Sequence, residues 1–205
     1  MIQTLGPEMS PEDPRYPYPT SYISLKDSHS HDFVYVRSMP STLVFFGTEG
    51  TTAICIKFVR RYSSKAHSFC ASRGFAPQLK GFDKLPGGWY MAVMEDISEA
   101  YRQAESAADL EGCCDDIVKK LGEFHQHHHV HGDIRNTNVM VRKDGEAGFM
   151  LVDFDWAGEN GKVLYPSNVN VTEVKRPVGA VDGKLITVEH DMEMLGYLLG
   201  THDCR

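Results

Sequence analysis

Two short runs in the middle of the chain carry acidic, amide and basic side chains at a spacing that could support chemistry. Residues 130–140 read Val-His-Gly-Asp-Ile-Arg-Asn-Thr-Asn-Val-Met, and residues 151–156 read Leu-Val-Asp-Phe-Asp-Trp. In a tight loop, the carboxylate of Asp133 could orient a hydroxyl and take up its proton. The amide oxygen of Asn138 and the carboxylate of Asp153 are hard ligands of the kind that magnesium prefers. The pattern therefore predicts one base and two metal ligands.

The residues between the two runs are predicted to bring these side chains together. Residues 139–141 and 149–152 are apolar, and the Asp-Gly pair at 144–145 is typical of a turn. A β-hairpin over this stretch would return the chain to Asn138 and deliver Asp153 to the same metal.

The stretch over residues 130–158 resembles the protein kinase-like superfamily. In that superfamily a His-x-Asp loop, an Asn five residues later and an apolar strand ending in Asp-Phe supply a base and two magnesium ligands. His-Gly-Asp, in place of His-Arg-Asp, is similar to the branch that includes the aminoglycoside and choline phosphotransferases. With the Tyr-Pro pair that follows, the stretch also looks like a kinase-like family abundant in mushroom-forming fungi. The resemblance implies an α+β fold of two lobes, a small antiparallel β-sheet lobe and a mainly helical lobe, with ATP between them.

Three further residues acquire expected roles from the resemblance. His131 would bond backbone groups and shape the catalytic loop. Arg135 stands two residues beyond Asp133, where Ser/Thr protein kinases carry Lys, and could neutralise γ-phosphate charge. Asp191 matches the buried acid that anchors the catalytic loop, although an acid at a helix start is also favoured by the helix dipole.

A histidine-rich run at residues 125–131 raises the question of a metal cluster. Zinc requires imidazoles that converge on one point. These rings straddle a predicted helix end and a loop and would diverge, so a native metal cluster is not expected here.

Lys57 is the candidate contact for the nucleotide phosphates. It ends the run Ala-Ile-Cys-Ile-Lys at residues 53–57, which resembles the Val-Ala-Ile-Lys strand of kinases. Strand alternation would place Ile54 and Ile56 on one face and Cys55 and Lys57 on the other. The alternative is a solvated lysine at a sheet edge.

Two features of kinases have no counterpart near Lys57. The predicted helix over residues 62–72 has no glutamate to hold its ammonium, and His67 occupies that place. A neutral His67 could accept a hydrogen bond from Lys57, or Asp153 and the phosphates alone could hold it. No Gly-x-Gly-x-x-Gly run precedes Lys57, and residues 47–50 are typical of a plain turn.

A hinge is predicted at residues 95–97, directly after a strand over residues 89–94. The backbone amide and carbonyl groups of Met94, Glu95 and Ile97 would contact the adenine edge, with Met94 as an apolar wall. Backbone recognition leaves no side-chain pattern, so this prediction rests on position alone.

The regular elements and their order are predicted as follows. Strands are expected at 33–37, 43–46, 53–59 and 89–94, and helices at 62–72, 98–103, 110–127 and 185–199. A proline-rich extension would span residues 1–29. The kinase-like domain would span 30–205, with a first lobe at 30–94 and a second lobe at 98–205 that is shorter than the resemblance implies.

Composition excludes several classes of partner. The chain has 205 residues, a formal net charge of −7 and a pI near 5.8, so no basic stripe for nucleic acid is expected. No apolar stretch reaches transmembrane length, and the N-terminus has no signal-like apolar core. Its five cysteines form no Cys-x-x-Cys pair and are typical of reduced thiols. A cytoplasmic or nuclear protein without a membrane partner is expected.

The function expected from these residues is transfer of the γ-phosphoryl group of ATP, with Mg2+, to a hydroxyl acceptor on a protein Ser/Thr or a small molecule. The alternative is a nucleotide-binding pseudokinase or interaction module without turnover. The missing glutamate, the missing glycine loop and the short second lobe favour the alternative. Intact Lys57, Asp133, Asn138 and Asp153 favour catalysis.

Overall fold

The computed structural model describes residues 19–200, which form two compact units. Among the described residues, unit 1 holds 19–61 and 78–96, and unit 2 holds 62–77 and 97–200. Residues 201–205 and most of the predicted proline-rich extension, residues 1–18, lie outside the described residues. Across residues 19–200, no helix is long and apolar enough to cross a membrane.

Unit 1 is built from antiparallel strands. They are β1 (Ser21–Ile23), β2 (Ser30–Asp32), β3 (Val34–Ser38), β4 (Val44–Glu49), β5 (Thr52–Val59), β6 (Leu79–Leu85) and β7 (Trp89–Glu95). Five of them form one sheet in the order β3-β4-β5-β7-β6, and β1 and β2 form a separate hairpin. The strands predicted from the sequence are confirmed.

The burial of side chains alternates along the middle of β5. Ile54 and Ile56 are fully buried, whereas Cys55 and Lys57 are half-buried. The predicted division of this strand into two faces is therefore confirmed. The buried side chains join Phe58 and others in an apolar cluster that also includes Tyr22, Phe33, Phe45, Met91 and Val93.

Three elements of unit 1 were not predicted, namely β6 and the two strands of the hairpin, β1 and β2. Strand β6 reads Leu-Lys-Gly-Phe-Asp-Lys-Leu and contains a register shift between Leu79 and Gly81, so its apolar alternation is interrupted. Strand β1 falls within the predicted extension, and its Tyr22 packs so closely on Gly81 that a Cβ there would lie 2.2 Å from the Tyr22 ring.

Unit 2 contains three helices and five short strands among the described residues. They are α1 (Ser64–Ser72), β8 (Tyr101–Gln103), α2 (Cys114–Gln126), β9 (His129–Val130), β10 (Val139–Arg142), β11 (Phe149–Leu151), β12 (Gly158–Glu159) and α3 (Val188–Leu199). Ala66 and Cys70 of α1 are buried in the same apolar cluster as Leu121 and Phe124 of α2 and Leu195 of α3. This packing explains why residues 62–77, predicted within the first lobe, belong to unit 2.

The helix predicted at residues 98–103 is wrong. Residues 101–103 form β8, which pairs with β10 through Gln103↔Met140 and Tyr101↔Arg142. The edge of β10 supplies hydrogen-bond partners, and six residues are too few to nucleate an isolated helix. The next helix, α2, begins later than predicted because Ala107–Leu110 form a 3₁₀ turn closed by a capping box.

Candidate functional site

One buried carboxylate accepts hydrogen bonds from the loop at residues 131–133. Asp191 of α3 is fully buried, and its Oδ2 and Oδ1 accept hydrogen bonds from the backbone N–H groups of His131 and Gly132, both at 2.7 Å. His125 of α2 lies 3.1 Å from the same Oδ2 through its Nε2. Asp191 stands in the first turn of α3, so it satisfies both descriptions that the sequence left open.

His131 links this loop to the strand that precedes Asp153. Its Nε2 donates to the carbonyl of Val152 at 3.1 Å, and its Nδ1 accepts from the N–H of Asp133 at 3.3 Å. These partners require the neutral tautomer with its proton on Nε2. The ring is fully buried, 5.2 Å from the ring of Phe154. His131 thus bonds backbone groups, as the sequence predicted, and fixes the loop conformation.

Asp133 and Asn138 are joined directly. The Nδ2 of Asn138 donates to the backbone carbonyl of Asp133 at 2.9 Å and to its Oδ2 at 2.8 Å. Both side chains are buried. Because both donor hydrogens of the amide are used by Asp133, the Oδ1 of Asn138 points elsewhere, and it accepts from the Thr137 hydroxyl at 3.3 Å.

Two guanidinium groups converge on the carboxylate of Asp133. Arg135 reaches its Oδ2 through Nε at 3.0 Å, and Arg176 reaches its Oδ1 through Nη2 at 2.8 Å. Arg135 is about one third exposed, whereas the side chain of Arg176 is only 3% exposed. Arg176 was missed by the sequence analysis because it lies in a long loop, 43 residues from Asp133, and belongs to no motif.

The β10–β11 hairpin returns the chain to Asn138 at Val152, the residue before Asp153. Val139 pairs with Leu151, and the N–H of Val152 donates to the carbonyl of Asn138 at 3.0 Å. Asp153 has φ of +68°, a left-handed conformation that is rare for a residue with a Cβ and recurs at functional sites. The predicted hairpin is therefore confirmed.

The donor set of this centre fits magnesium. Asn138 directs an amide oxygen away from Asp133, and Asp153 adds a carboxylate, which together match the one or two protein ligands that Mg2+ takes beside phosphate and water. No group of three His, Cys, Asp or Glu side chains that could hold a metal occurs within residues 19–200. These two residues suit a metal that shares its ligands with a substrate.

The histidine-rich run has separate partners for its rings. The Nδ1 of His127 donates to the carbonyl of Glu123 at 2.9 Å, while His125 and His131 face Asp191 and Val152 as described above. His129 packs against Phe124 and Phe69, and burial lowers its pKa. These four imidazoles therefore contact different parts of unit 2.

His67 is a structural residue of unit 2. Its Nδ1 accepts from the hydroxyl of Tyr62 at 2.6 Å, and its Nε2 donates to the carbonyl of Pro77 at 2.7 Å. Its ring stacks on that of Phe154 at 4.6 Å. The stack and the two hydrogen bonds anchor α1 next to the residue that follows Asp153.

The candidate nucleotide contacts lie mainly in unit 1. Lys57 of β5 is half-buried and stands between Val44 and Ala92 in the sheet register. The strand position matches the prediction, and burial raises the pKa of the neighbouring Cys55 to about 12, so that thiol is protonated at neutral pH. Met94 is buried in β7.

Some backbone groups of the predicted hinge already have partners. The N–H of Glu95 donates to the carbonyl of Gln78 at 2.9 Å. The carbonyl of Ile97 accepts from the N–H groups of Ala100 and Tyr101 at 3.1 and 2.9 Å. In this arrangement, both groups are already engaged within the protein.

Known proteins that resemble this chain are found by structure and not by sequence. No family model matches the chain, and no curated protein matches it in sequence. Solved structures do match: the kinase PK-1 of Cydia pomonella granulovirus superposes with a TM-score of 0.66 at 15% identity, covering 82% of this chain and 67% of that one. Vaccinia related kinase 3 superposes with a TM-score of 0.62 at 12% identity, covering 92% and 68%.

The chain has a protein kinase-like fold. The α+β class expected from the sequence is confirmed by these superpositions. At such low identity the likeness shows the fold alone. The residues that could do chemistry must therefore be judged by their own contacts. His131, Asp133, Arg135, Asn138 and Asp153 stand on one loop and one hairpin of unit 2.

Proposed function

We propose that this chain transfers the γ-phosphoryl group of ATP to a hydroxyl acceptor with the help of magnesium. The observation that carries the proposal is the bonded pair of Asp133 and Asn138. The amide donors of Asn138 are both used by Asp133, so the amide oxygen of Asn138 faces away from the carboxylate, and a carboxylate and an amide oxygen stand on the same loop. The kinase-like fold supports the same reaction class.

Each residue of unit 2 has a role in this proposal. Asp133 orients the acceptor hydroxyl and takes up its proton. Asn138 and Asp153 would hold magnesium, which when bound screens the negative charge of the phosphates. Arg135 adds positive charge beside Asp133, and His131 keeps the loop in shape. Positioning and charge neutralisation supply most of the catalysis in such reactions.

The nucleotide contacts are proposed from the fold and from strand position. Lys57 would contact the α- and β-phosphates, and Met94, Glu95 and Ile97 would border the adenine. The acceptor would be a protein Ser/Thr or a small alcohol. The likeness of the His-Gly-Asp run to aminoglycoside and choline phosphotransferases supports a small alcohol, and the likeness to kinase-like proteins of mushroom-forming fungi leaves both acceptors open.

A second function is favoured by one specific observation. Both carboxylate oxygens of Asp133 are engaged, Oδ1 by Arg176 and Oδ2 by Arg135 and Asn138. If these bonds persist when ATP is bound, Asp133 is a poor base. The chain would then be a nucleotide-binding pseudokinase or interaction module without turnover.

Nucleotide binding and turnover, measured together, separate the two functions. A ligand at 100 times its Kd stabilises a protein by about 2.7 kcal/mol, which for a chain of this size raises the melting temperature by roughly 5–10 °C. We expect that shift with ATP and a larger one with ATP and magnesium. ADP formation should accompany it in an enzyme and be absent in a pseudokinase.

Two variants assign the shift to the proposed residues. Asp153→Asn should remove the magnesium-dependent part and keep some of the nucleotide-only part, whereas Lys57→Met should reduce both. No shift with ATP or ADP, with or without magnesium, would contradict both functions.

A further inference from the structure

Arg176 is held in place from three sides within unit 2. Its guanidinium lies over the ring of Trp156, 4.7 Å from the ring centre, and its Nε donates to the carbonyl of Asn170 at 3.1 Å. Its Nη2 donates to Oδ1 of Asp133 at 2.8 Å. A side chain fixed by a stack, a carbonyl and a carboxylate has little freedom left to lose when a ligand binds.

The segment that carries Arg176 is itself a built structure. The Oδ1 of Asn170 accepts from the N–H groups of Thr172 and Glu173, which turns the chain back towards Arg176. At the base of the segment, Asp182 accepts from the N–H groups of Asn168 and Val169, both at 2.8 Å. Val169 and Ala180 of the segment belong to an apolar cluster that also contains Val130, Tyr165 and Ile186.

One donor of this fixed side chain is unused. Nη1 of Arg176 is buried and has no hydrogen-bond partner among residues 19–200. A buried donor without a partner costs free energy, so such groups are rare, and a bound ligand, water or ion is the usual partner of those that occur. Nη1 shares its guanidinium with Nη2, which bonds Asp133. The unused donor therefore stands beside the carboxylate that would orient the acceptor hydroxyl.

The charge at this point also favours an anion. Asp133 contributes one negative charge, and Arg135 and Arg176 contribute two positive charges, so the three residues carry a net charge of +1. The charge of the partly exposed Arg135 is not balanced within this group and attracts an anionic partner. The unused donor and the unbalanced charge indicate the same kind of ligand.

We propose that Arg176 binds an oxyanion of the acceptor, a carboxylate or a phosphate, close to the hydroxyl that Asp133 orients. The inference rests on the proposed phosphotransferase function and names its substrate class as compact alcohols that carry an acidic group. Arginine suits the task because its planar fork offers several donors, so that Nη1 can bond the acceptor oxyanion independently of the bond that Nη2 makes to Asp133. A neutral alcohol offers Nη1 only an uncharged acceptor, which makes a weaker hydrogen bond than an oxyanion does, and it should bind less tightly for that reason.

Binding to the full chain with ADP and magnesium present tests the proposal. The probes are glycerate, glycerol 3-phosphate and glycerol, titrated by calorimetry, with inorganic phosphate as a fourth ligand. Both hydroxylated anions share a glycerol-like frame with the neutral probe, so the acidic group is the main difference. We expect at least one of them to bind about 10- to 100-fold more tightly than glycerol, the usual effect of a charged hydrogen bond. Glycerate and glycerol 3-phosphate distinguish the carboxylate from the phosphate.

Substitution then assigns the preference to one side chain. Arg176→Gln should abolish the anion preference, and Arg176→Lys should keep part of it. Lys175→Gln is the matched control, because it removes the same charge from the neighbouring residue, whose ammonium lies over the ring of Tyr197. A role confined to folding would change the melting temperature of the Arg176 variants without changing the ratio of anionic to neutral binding.

The outcomes divide clearly. Anions that bind no better than glycerol, or not at all, while ADP binds, would overturn this inference and leave the proposed function standing. An anion preference that survives in Arg176→Gln, or phosphate binding unaffected by it, would show an adventitious ion only. An anion preference that depends on Arg176 in a chain without ATP turnover would support the binding site and contradict the proposed function. If Arg176→Gln does not fold, the comparison of probes on the parent chain still decides.

Discussion

Unit 1 and unit 2 differ in how many of their polar side chains are buried. Among the described residues, the buried polar and charged side chains of unit 2 are His67, His131, Asp133, Asn138 and Asp191, whereas unit 1 buries only Ser24. The ionised groups of unit 1 instead cluster near its surface, where Glu49 pairs with His31 and Lys80. Burial of polar groups is costly unless each is paired. In unit 2, His131, Asp133 and Asn138 lie on one loop, and Asp191 bonds that loop from α3. This loop is where we place the chemistry.

The largest effect on stability is expected for Asp191→Ala, which disrupts the buried network of unit 2. Its removal leaves the buried N–H groups of His131 and Gly132 without their acceptor and leaves His125 without its partner. Removing one partner of a buried, hydrogen-bonded ion pair costs about 3–5 kcal/mol. Urea denaturation should report a loss of this size in the free energy of unfolding.

Glu189→Ala is the control for that measurement. Glu189 stands in the same first turn of α3 and is exposed, so its loss should cost far less. Equal effects for the two substitutions would mean that the buried network of unit 2 contributes no special stability.

A smaller effect is expected for Gly132→Ala. Gly132 has φ of +82°, and a Cβ there would lie 2.8 Å from Cδ1 of Ile186. Gly145→Ala is the matched control, since Gly145 has φ of +81° with nothing within 4 Å of its Cβ position. Both variants carry the conformational penalty, but only the first has a clash, which should add about 1–3 kcal/mol. Thermal denaturation that ranks them equally would argue against close packing at the loop.

The smallest expected effect concerns the surface cluster of unit 1. Hydrogen bonds to Glu49 and then Asp27 raise the pKa of His31 above its ordinary 6.5. The bond from His31 holds the pKa of Glu49 at about 2. The stabilisation from His31 is therefore complete below pH 6.5 and disappears as the pH rises through its raised pKa. The part due to Glu49 is complete above pH 4.5 and is lost as the pH falls towards 2.

His31→Gln should lower the melting temperature more at pH 6 than at pH 9. The variant removes the titrating group, so its own melting temperature should change less between these two pH values than that of the parent. An identical difference at both pH values would show that the charge of His31 does not stabilise unit 1.

The spacing of residues in the sequence was enough to predict much of the local structure. The alternation of Ile54 and Ile56 marked a strand, and the offsets among Asp133, Asn138 and Asp153 marked a loop and a hairpin. In each case, the side chains that interact are near one another in the chain or follow a fixed period. Strand β6 lacks such a period because Gly81 and two lysines interrupt it.

Long-range contacts escaped prediction for a physical reason. Residues 101–103 became a strand because β10 offered an edge, which their own sequence does not indicate. Arg176 meets Asp133 only after a long loop has folded on its own apolar cluster. No spacing rule connects residues whose contact is created by tertiary packing, and this is why the most informative side chain of the site appeared only in the structure.

The most direct test of the proposed phosphotransferase is the ADP formed from ATP and magnesium by the parent chain and by Asp133→Asn. Asparagine keeps the size of the side chain and loses its capacity to take up a proton. Nucleotide binding, followed by the melting shift, should be nearly unchanged, while kcat falls by about 10²–10⁴-fold. Equal turnover by the two chains, or no turnover by the parent, would contradict the proposal that Asp133 serves phosphoryl transfer.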